Sequence, residues 1–234
     1  MSTNAEPSPD PTRPRDESQA DAPPADSALI LVDIQPDFLP GGSLAVDEGD
    51  RILGGVRSLM VSGDFPVQVA TQDWHPPNHR SFASNHDGGE PFGEITLHGH
   101  PQVLWPDHCV QDTPGAELHP ELPWQRVSAI IRKGLDPEVD SYSGFRNNWG
   151  PDGSRPATGL AGLLRERGVG HLVVCGLARD YCVRWTVEDA LDEGFAVTLV
   201  WDLTRSVDPS GDEELHAGLA DRGARILNRA DLKP

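Results

Sequence analysis

The chain has 234 residues, with 37 acidic and 19 basic side chains and a formal net charge of −18. That length suits one large domain or two small ones with a proper core, and the charge argues against nucleic acid or an anionic membrane surface as a partner. No apolar run reaches the ~18 residues of a membrane span, the N-terminus lacks the apolar stretch of a secretory signal, and three cysteines (Cys109, Cys175, Cys182) do not make a disulfide framework. The expected setting is cytoplasmic. Lysine is scarce: Lys133 and Lys233 stand against 17 arginines.

Residues 1–26 hold six prolines and, beyond Met1, no aliphatic or aromatic side chain larger than alanine. Such a segment does not bury enough surface to offset its ordering entropy, so a disordered acidic tail is expected. From Ser27 onward strand and helix signals alternate. Ala28–Val32 is a short continuous apolar run, the pattern of a strand buried on both faces. Ile52, Leu53, Val56, Leu59 and Met60 share a helical face. Strands are expected at Val67–Ala70 and Ser128–Ile131. A helix through Leu160, Leu163 and Leu164 ends at Gly168, and Leu172–Cys175 is the next strand. Val183, Val187, Ala190 and Leu191 mark a helix ending near Gly194, followed by a strand at Ala196–Val200. Leu215 and Leu219 mark the last helix, and Ala224–Leu227 the last strand. The alternation predicts an α/β fold with a mainly parallel sheet covered on both faces. Residues 73–125 break the rhythm. They are rich in Pro and Gly and hold seven of the nine histidines, which points to a functional loop region.

Ligands of open α/β sheets bind beyond the carboxyl ends of the strands. The residues there are Asp33 after the first strand, Asp73 and His75 after the second, Lys133 after the third and Cys182 after the fourth. Cys182 at a helix start, with a lysine nearby, has a reason to be a stabilised thiolate. Asp33 is placed to take its proton. In a chain that otherwise uses arginine, a lone lysine after an apolar strand suggests that a compact ammonium is required. Asp73-x-His75 offers two metal ligands, and His108 in the same region offers a third, leaving open positions for water and substrate. His79 is a fourth ligand or a supporting partner. His86, His98, His100 and His119 are taken as solvent-facing, and Cys175 and Cys109 as small buried hydrophobes.

The pieces LVDIQPDF, TQDWHPPNHRSFASNH, LWPDHCVQDTPGAELHP, RKG, DSYSGF and CGLARDYCVRWTVEDAL occur in an order that resembles the nicotinamidase (pyrazinamidase) branch of the isochorismatase-like cysteine hydrolases. The resemblance spans about residues 28–228 and implies one domain over residues 27–234, a three-layer α/β/α sandwich around a six-stranded, mainly parallel sheet. It implies hydrolysis of nicotinamide, and of pyrazinamide, to the acid and ammonia in pyridine-nucleotide salvage. It makes Cys182 the nucleophile, Asp33 the base and Lys133 the third member of the triad, with an oxyanion hole from the backbone N–H groups of Ala178 and Cys182. It gives Asp73, His75 and His108 one divalent transition metal, zinc in the first place and iron or manganese otherwise. Phe38, Trp105 and Tyr142 would line the ring pocket, and Leu177–Ala178 would be a cis peptide. Tyr181 stands where some members carry histidine. The alternatives are an isochorismatase, an N-carbamoyl amide hydrolase or a non-catalytic binding protein on the same fold. The Asp-x-His and WPxHC pieces argue against the first two, the intact triad against the third. The oligomeric state is left open, a homo-oligomer included.

Overall fold

A computed structural model of the chain describes residues 23–232. The first 22 residues of the expected tail, and Lys233, lie outside the described residues. Among the described residues the strands are β1 (Ser27–Val32), β2 (Val67–Asp73), β3 (Glu94–Leu97), β4 (His100–Val103), β5 (Ala129–Lys133), β6 (His171–Leu177), β7 (Ala196–Arg205) and β8 (Arg225–Leu227). The α-helices are α1 (Leu53–Val61), α2 (Leu160–Glu166), α3 (Arg184–Asp192) and α4 (Asp212–Asp221). Six strands form one sheet in the order β5-β2-β1-β6-β7-β8, every neighbouring pair parallel. Among the described residues, no helix is long and apolar enough to cross a membrane.

β1 shows why the sheet is covered twice. Side chains alternate along a strand, and here both sets are buried. Leu29 and Leu31 pack with Ile52, Val56 and Met60 of the α1 region. Ala28, Ile30 and Val32 pack with Leu160 and Leu164 of α2, Val187 of α3 and Leu219 of α4. The result is the expected three-layer α/β/α arrangement. Most predicted elements are present, with β2 and β7 running further than their apolar cores. The helix through Leu53 opens with a 3-10 turn at Gly49–Ile52. The antiparallel β3–β4 hairpin is new: its turn residues His98 and Gly99 both have positive φ (51° and 84°), as a tight hairpin turn demands.

The order β5-β2-β1-β6 places the four chemically loaded strand ends side by side. The chain leaves β1 toward β2 on one side, while β6 joins β1 on the other, so the switch point of the sheet lies at the β1–β6 seam. Gly176 of β6 pairs with Val32 there, beside a register shift between Val174 and Gly176. Its φ is +127°, and a Cβ on it would lie 2.1 Å from the Val32 carbonyl oxygen. Only glycine lets the two backbones approach this closely. Gly176→Ala should therefore destabilise the protein by at least about 3 kcal/mol in urea unfolding. A loss under about 1 kcal/mol would show that the seam does not depend on that approach.

Candidate active site

Three of the site residues end or directly follow a strand. Asp33 follows β1 with φ of 45°, and its backbone N–H donates to Thr71 Oγ1 at 3.2 Å while the Thr71 hydroxyl donates to Asp33 Oδ1 at 2.5 Å. Asp73 closes β2 and Lys133 closes β5, and the two are register partners, so their side chains leave the sheet together. Cys182 lies in a π-helical turn, Arg179–Val183, that precedes α3. The Leu177–Ala178 peptide leading into it is cis.

Lys133 joins these groups. It is 1% exposed, and its ammonium ion-pairs with Asp33 Oδ2 at 2.9 Å and with Asp73 Oδ1 at closer range. It also donates to the Ser141 carbonyl at 2.8 Å and reaches Cys182 Sγ at 3.4 Å. Burial alone would lower the lysine's pKa, but the two carboxylates outweigh it and hold the ammonium charged. Burial pushes Asp33 up to about 6, opposed by Lys133 and helped by Asp73. Asp73 ends below the usual carboxylate range: burial opposes ionisation, but Lys133, His75 and His108 together overcome it.

Cys182 departs from expectation. It sits within the turn rather than at the first position of a helix, and it is almost fully buried. Burial pushes the thiol well above its ordinary value, and the Asp33 and Asp73 carboxylates add to this against Lys133. The resting group is a thiol, so reactivity at this sulfur would need an adjacent base. Asp33 Oδ2 receives no directed hydrogen bond from its ion-pair partner, which leaves a lone pair to accept that proton.

The long segment after β2 is pinned back onto the site. His75 N–H donates to the Cys109 carbonyl (3.0 Å), Gln111 N–H donates to the His75 carbonyl (2.8 Å), and Phe82 bridges to Trp105. These contacts bring His108 to His75, with ring centroids 5.0 Å apart. One donor atom each from Asp73, His75 and His108 lies within 4.8 Å of the others, and all three residues are buried. His75 Nδ1 donates to the Gly134 carbonyl at 3.1 Å and His108 Nδ1 to the Pro106 carbonyl at 2.8 Å. Since a carbonyl only accepts, both rings carry a proton on Nδ1, which leaves Nε2 as the atom a metal would take. Burial lowers the His75 pKa, but Asp73, 3.7 Å from its Nε2, more than offsets this and raises it. His79 is fully buried, its ring 4.4 Å from that of His75, its Nδ1 held by the Ser81 hydroxyl (2.7 Å) and its Nε2 without a partner. This donor set fits a divalent transition metal.

Beside the cluster lies a small pocket. Phe38, Trp105 and Tyr142 line it, with Ala178 and Cys182. Tyr181 and Asp140 line it too. Tyr181 packs edge-on to Trp105 at 4.7 Å. Asp140 lies in the DSYSGF piece, but nothing in its spacing marks it, because its meaning comes from burial. The four histidines taken as solvent-facing are all half-buried instead. His86 and His98 bond backbone carbonyls of Arg80 and Glu138, His100 stacks on Trp149, and His119 donates its backbone N–H to the Ile34 carbonyl. They tie the long segment down. Cys109 and Cys175 are buried free thiols, as expected.

A family model described as the isochorismatase domain matches residues 27–231. The nicotinamidase of Escherichia coli (strain K12) is 44% identical over 208 residues, which cover 87% of this chain and 95% of that one. A solved nicotinamidase and pyrazinamidase of Acinetobacter baumanii superposes with a TM-score of 0.83 at 43% identity, covering 90% of this chain and 99% of that one. A pyrazinamidase of Pyrococcus horikoshii in complex with zinc gives 0.70 at 38% identity, over 87% of this chain and 99% of that one. With the parallel sheet, the clustered strand ends and these matches in agreement, the chain belongs to the isochorismatase domain family.

Proposed function

We propose that the protein hydrolyses nicotinamide to nicotinate and ammonia, with pyrazinamide as a second substrate, by covalent catalysis at Cys182. The observation that carries this reading is the single buried ammonium of Lys133 in contact with Asp33, Asp73 and the Cys182 sulfur, next to an aromatic-lined pocket. The 44% identity to a nicotinamidase over most of both chains supports the same substrate. The aromatic rings of Phe38, Trp105 and Tyr142 suit a flat heteroaromatic amide, held by edge and face contacts.

Asp33 takes the Cys182 proton as the thiolate attacks the amide carbonyl carbon. Lys133 holds the carboxylate in place and offsets the charge that develops on sulfur. The backbone N–H groups of Ala178 and Cys182 are the proposed donors to the tetrahedral oxyanion, a contribution of about 3 kcal/mol per donor in comparable sites. Asp33 then returns the proton to the departing nitrogen, which leaves as ammonia, and a thioester remains on Cys182. Water, deprotonated by Asp33, attacks the thioester; nicotinate leaves and the thiol reforms. Asp73, His75 and His108 would hold the metal, with His79 as a fourth ligand or a partner of the others. A divalent ion held there would supply an electrophilic site able to take the substrate's ring nitrogen beside Cys182. Zinc is the first candidate, since a pyrazinamidase of similar fold is in complex with it. A place in pyridine-nucleotide salvage follows from the product.

Two outcomes test the reading. Cys182→Ala should release no ammonia from nicotinamide while keeping its bound metal by elemental analysis. Ammonia release at the wild-type rate by that variant would exclude covalent catalysis. Asp33 must be ionised to act, and its carboxyl sits at about 6. The kcat/KM for ammonia release should therefore hold near neutral pH and fall about tenfold per unit as pH drops below that value. A profile that stays flat well below pH 6, down to about 4.5, would remove Asp33 from the role of base.

A further inference from the structure

Neither the triad nor the three proposed ligands account for Asp140. It is 3% exposed, and one of its carboxylate oxygens lies within 4.8 Å of ring nitrogens of His75 and His79. Its two oxygens are held apart by separate donors. Oδ1 accepts the Ser141 backbone N–H at 2.8 Å, and Oδ2 accepts Gln102 Nε2 at 2.7 Å. Gln102 lies in β4 and also reaches the Tyr142 hydroxyl at 3.0 Å, so the hairpin and the pocket wall fix the carboxylate together.

Both donors are neutral. Asp33 and Asp73 share the Lys133 ammonium, whereas Asp140 makes no ion pair among the described residues. A buried carboxylate without a cation is costly even when it is hydrogen-bonded. In the same group of side chains, the Nε2 of His79 is buried and makes no hydrogen bond. Three buried carboxylates (Asp33, Asp73, Asp140) are set against one buried ammonium (Lys133), and Asp140 has no cation of its own among the described residues. A divalent ion bound here would supply positive charge beside it.

We propose that Asp140 is a positioning carboxylate for the metal centre. Held by Gln102 and Ser141, it supplies negative charge and acceptor lone pairs beyond the Asp73, His75 and His108 ligands, and so raises the protein's affinity for a divalent ion. Through Gln102 the β3–β4 hairpin becomes part of metal retention. This rests on the metal centre proposed above, and groups of this kind are worth about 10–100-fold in metal affinity.

The test equilibrates zinc-loaded protein against a graded chromogenic chelator and reads the zinc dissociation constant directly, independent of turnover. Asp140→Asn keeps the shape and removes the charge. It should bind zinc about 10–100-fold more weakly, with the melting temperature of the metal-free protein unchanged or raised. Asp140→Glu should recover part of the affinity. Zinc binding by Asp140→Asn within twofold of wild type would overturn the proposal. If Asp140→Asn does not fold, Gln102→Leu loosens the carboxylate without removing it and should still weaken zinc binding several-fold; unchanged binding there would count equally against the idea. A wild-type protein that retains no zinc would overturn the metal centre itself along with this role, an outcome distinct from loss of the Asp140 effect alone.

Discussion

The site is organised around one buried ammonium. Lys133 ends the edge strand β5 and is almost completely enclosed, so its charge is tolerable only because Asp33 and Asp73 neutralise it and the Ser141 carbonyl accepts a hydrogen bond from it. Removing one partner from such a cluster costs about 3–5 kcal/mol, since the remaining charge is left buried and uncompensated. The same contacts set the chemistry. They hold Asp33 at about 6, keep Asp73 ionised, and put a positive charge 3.4 Å from the Cys182 sulfur, the proposed nucleophile.

The sheet makes that cluster possible. β5, β2, β1 and β6 are consecutive neighbours, and each delivers one group at its carboxyl end: lysine, aspartate, aspartate and, after a short turn, cysteine. The Asp73–Lys133 contact follows from their register, and the β1–β6 seam closes only because Gly176 admits the Val32 carbonyl. The loop segment adds what the strands lack. Its short bridges at His75 and Phe82 draw His108 to His75, and the half-buried histidines that seemed idle fasten it in place.

Much of this was legible in the residues. Buried parallel strands are continuous apolar runs, and their ends were recognisable because a polar residue of a distinctive type follows each run: Asp33, Asp73, Lys133. Lysine scarcity singled out Lys133 before any fold was available. Other features depended on tertiary context. β3 and β4 are four residues each, too short for their alternation to stand out, although His98-Gly99 is the turn signal. The state of Cys182 is set by two opposed effects: local helix position favours a thiolate, while burial, which depends on the whole fold, favours the thiol. Asp140 carries no local signature, and its isolation from any cation emerges only when its neighbours are assembled.

The central claim is that a compact ammonium at position 133 holds the nucleophile, the base and the metal ligand together. Lys133→Arg keeps the charge but replaces a point donor with a larger planar fork in a fully enclosed space. The direct measurement is the rate of ammonia release from nicotinamide by this variant, beside its metal content. The account predicts a loss of at least about 10²-fold in kcat/KM. Full activity would mean that the lysine scarcity reflects background composition and that the buried contacts of Lys133 are not what the site depends on.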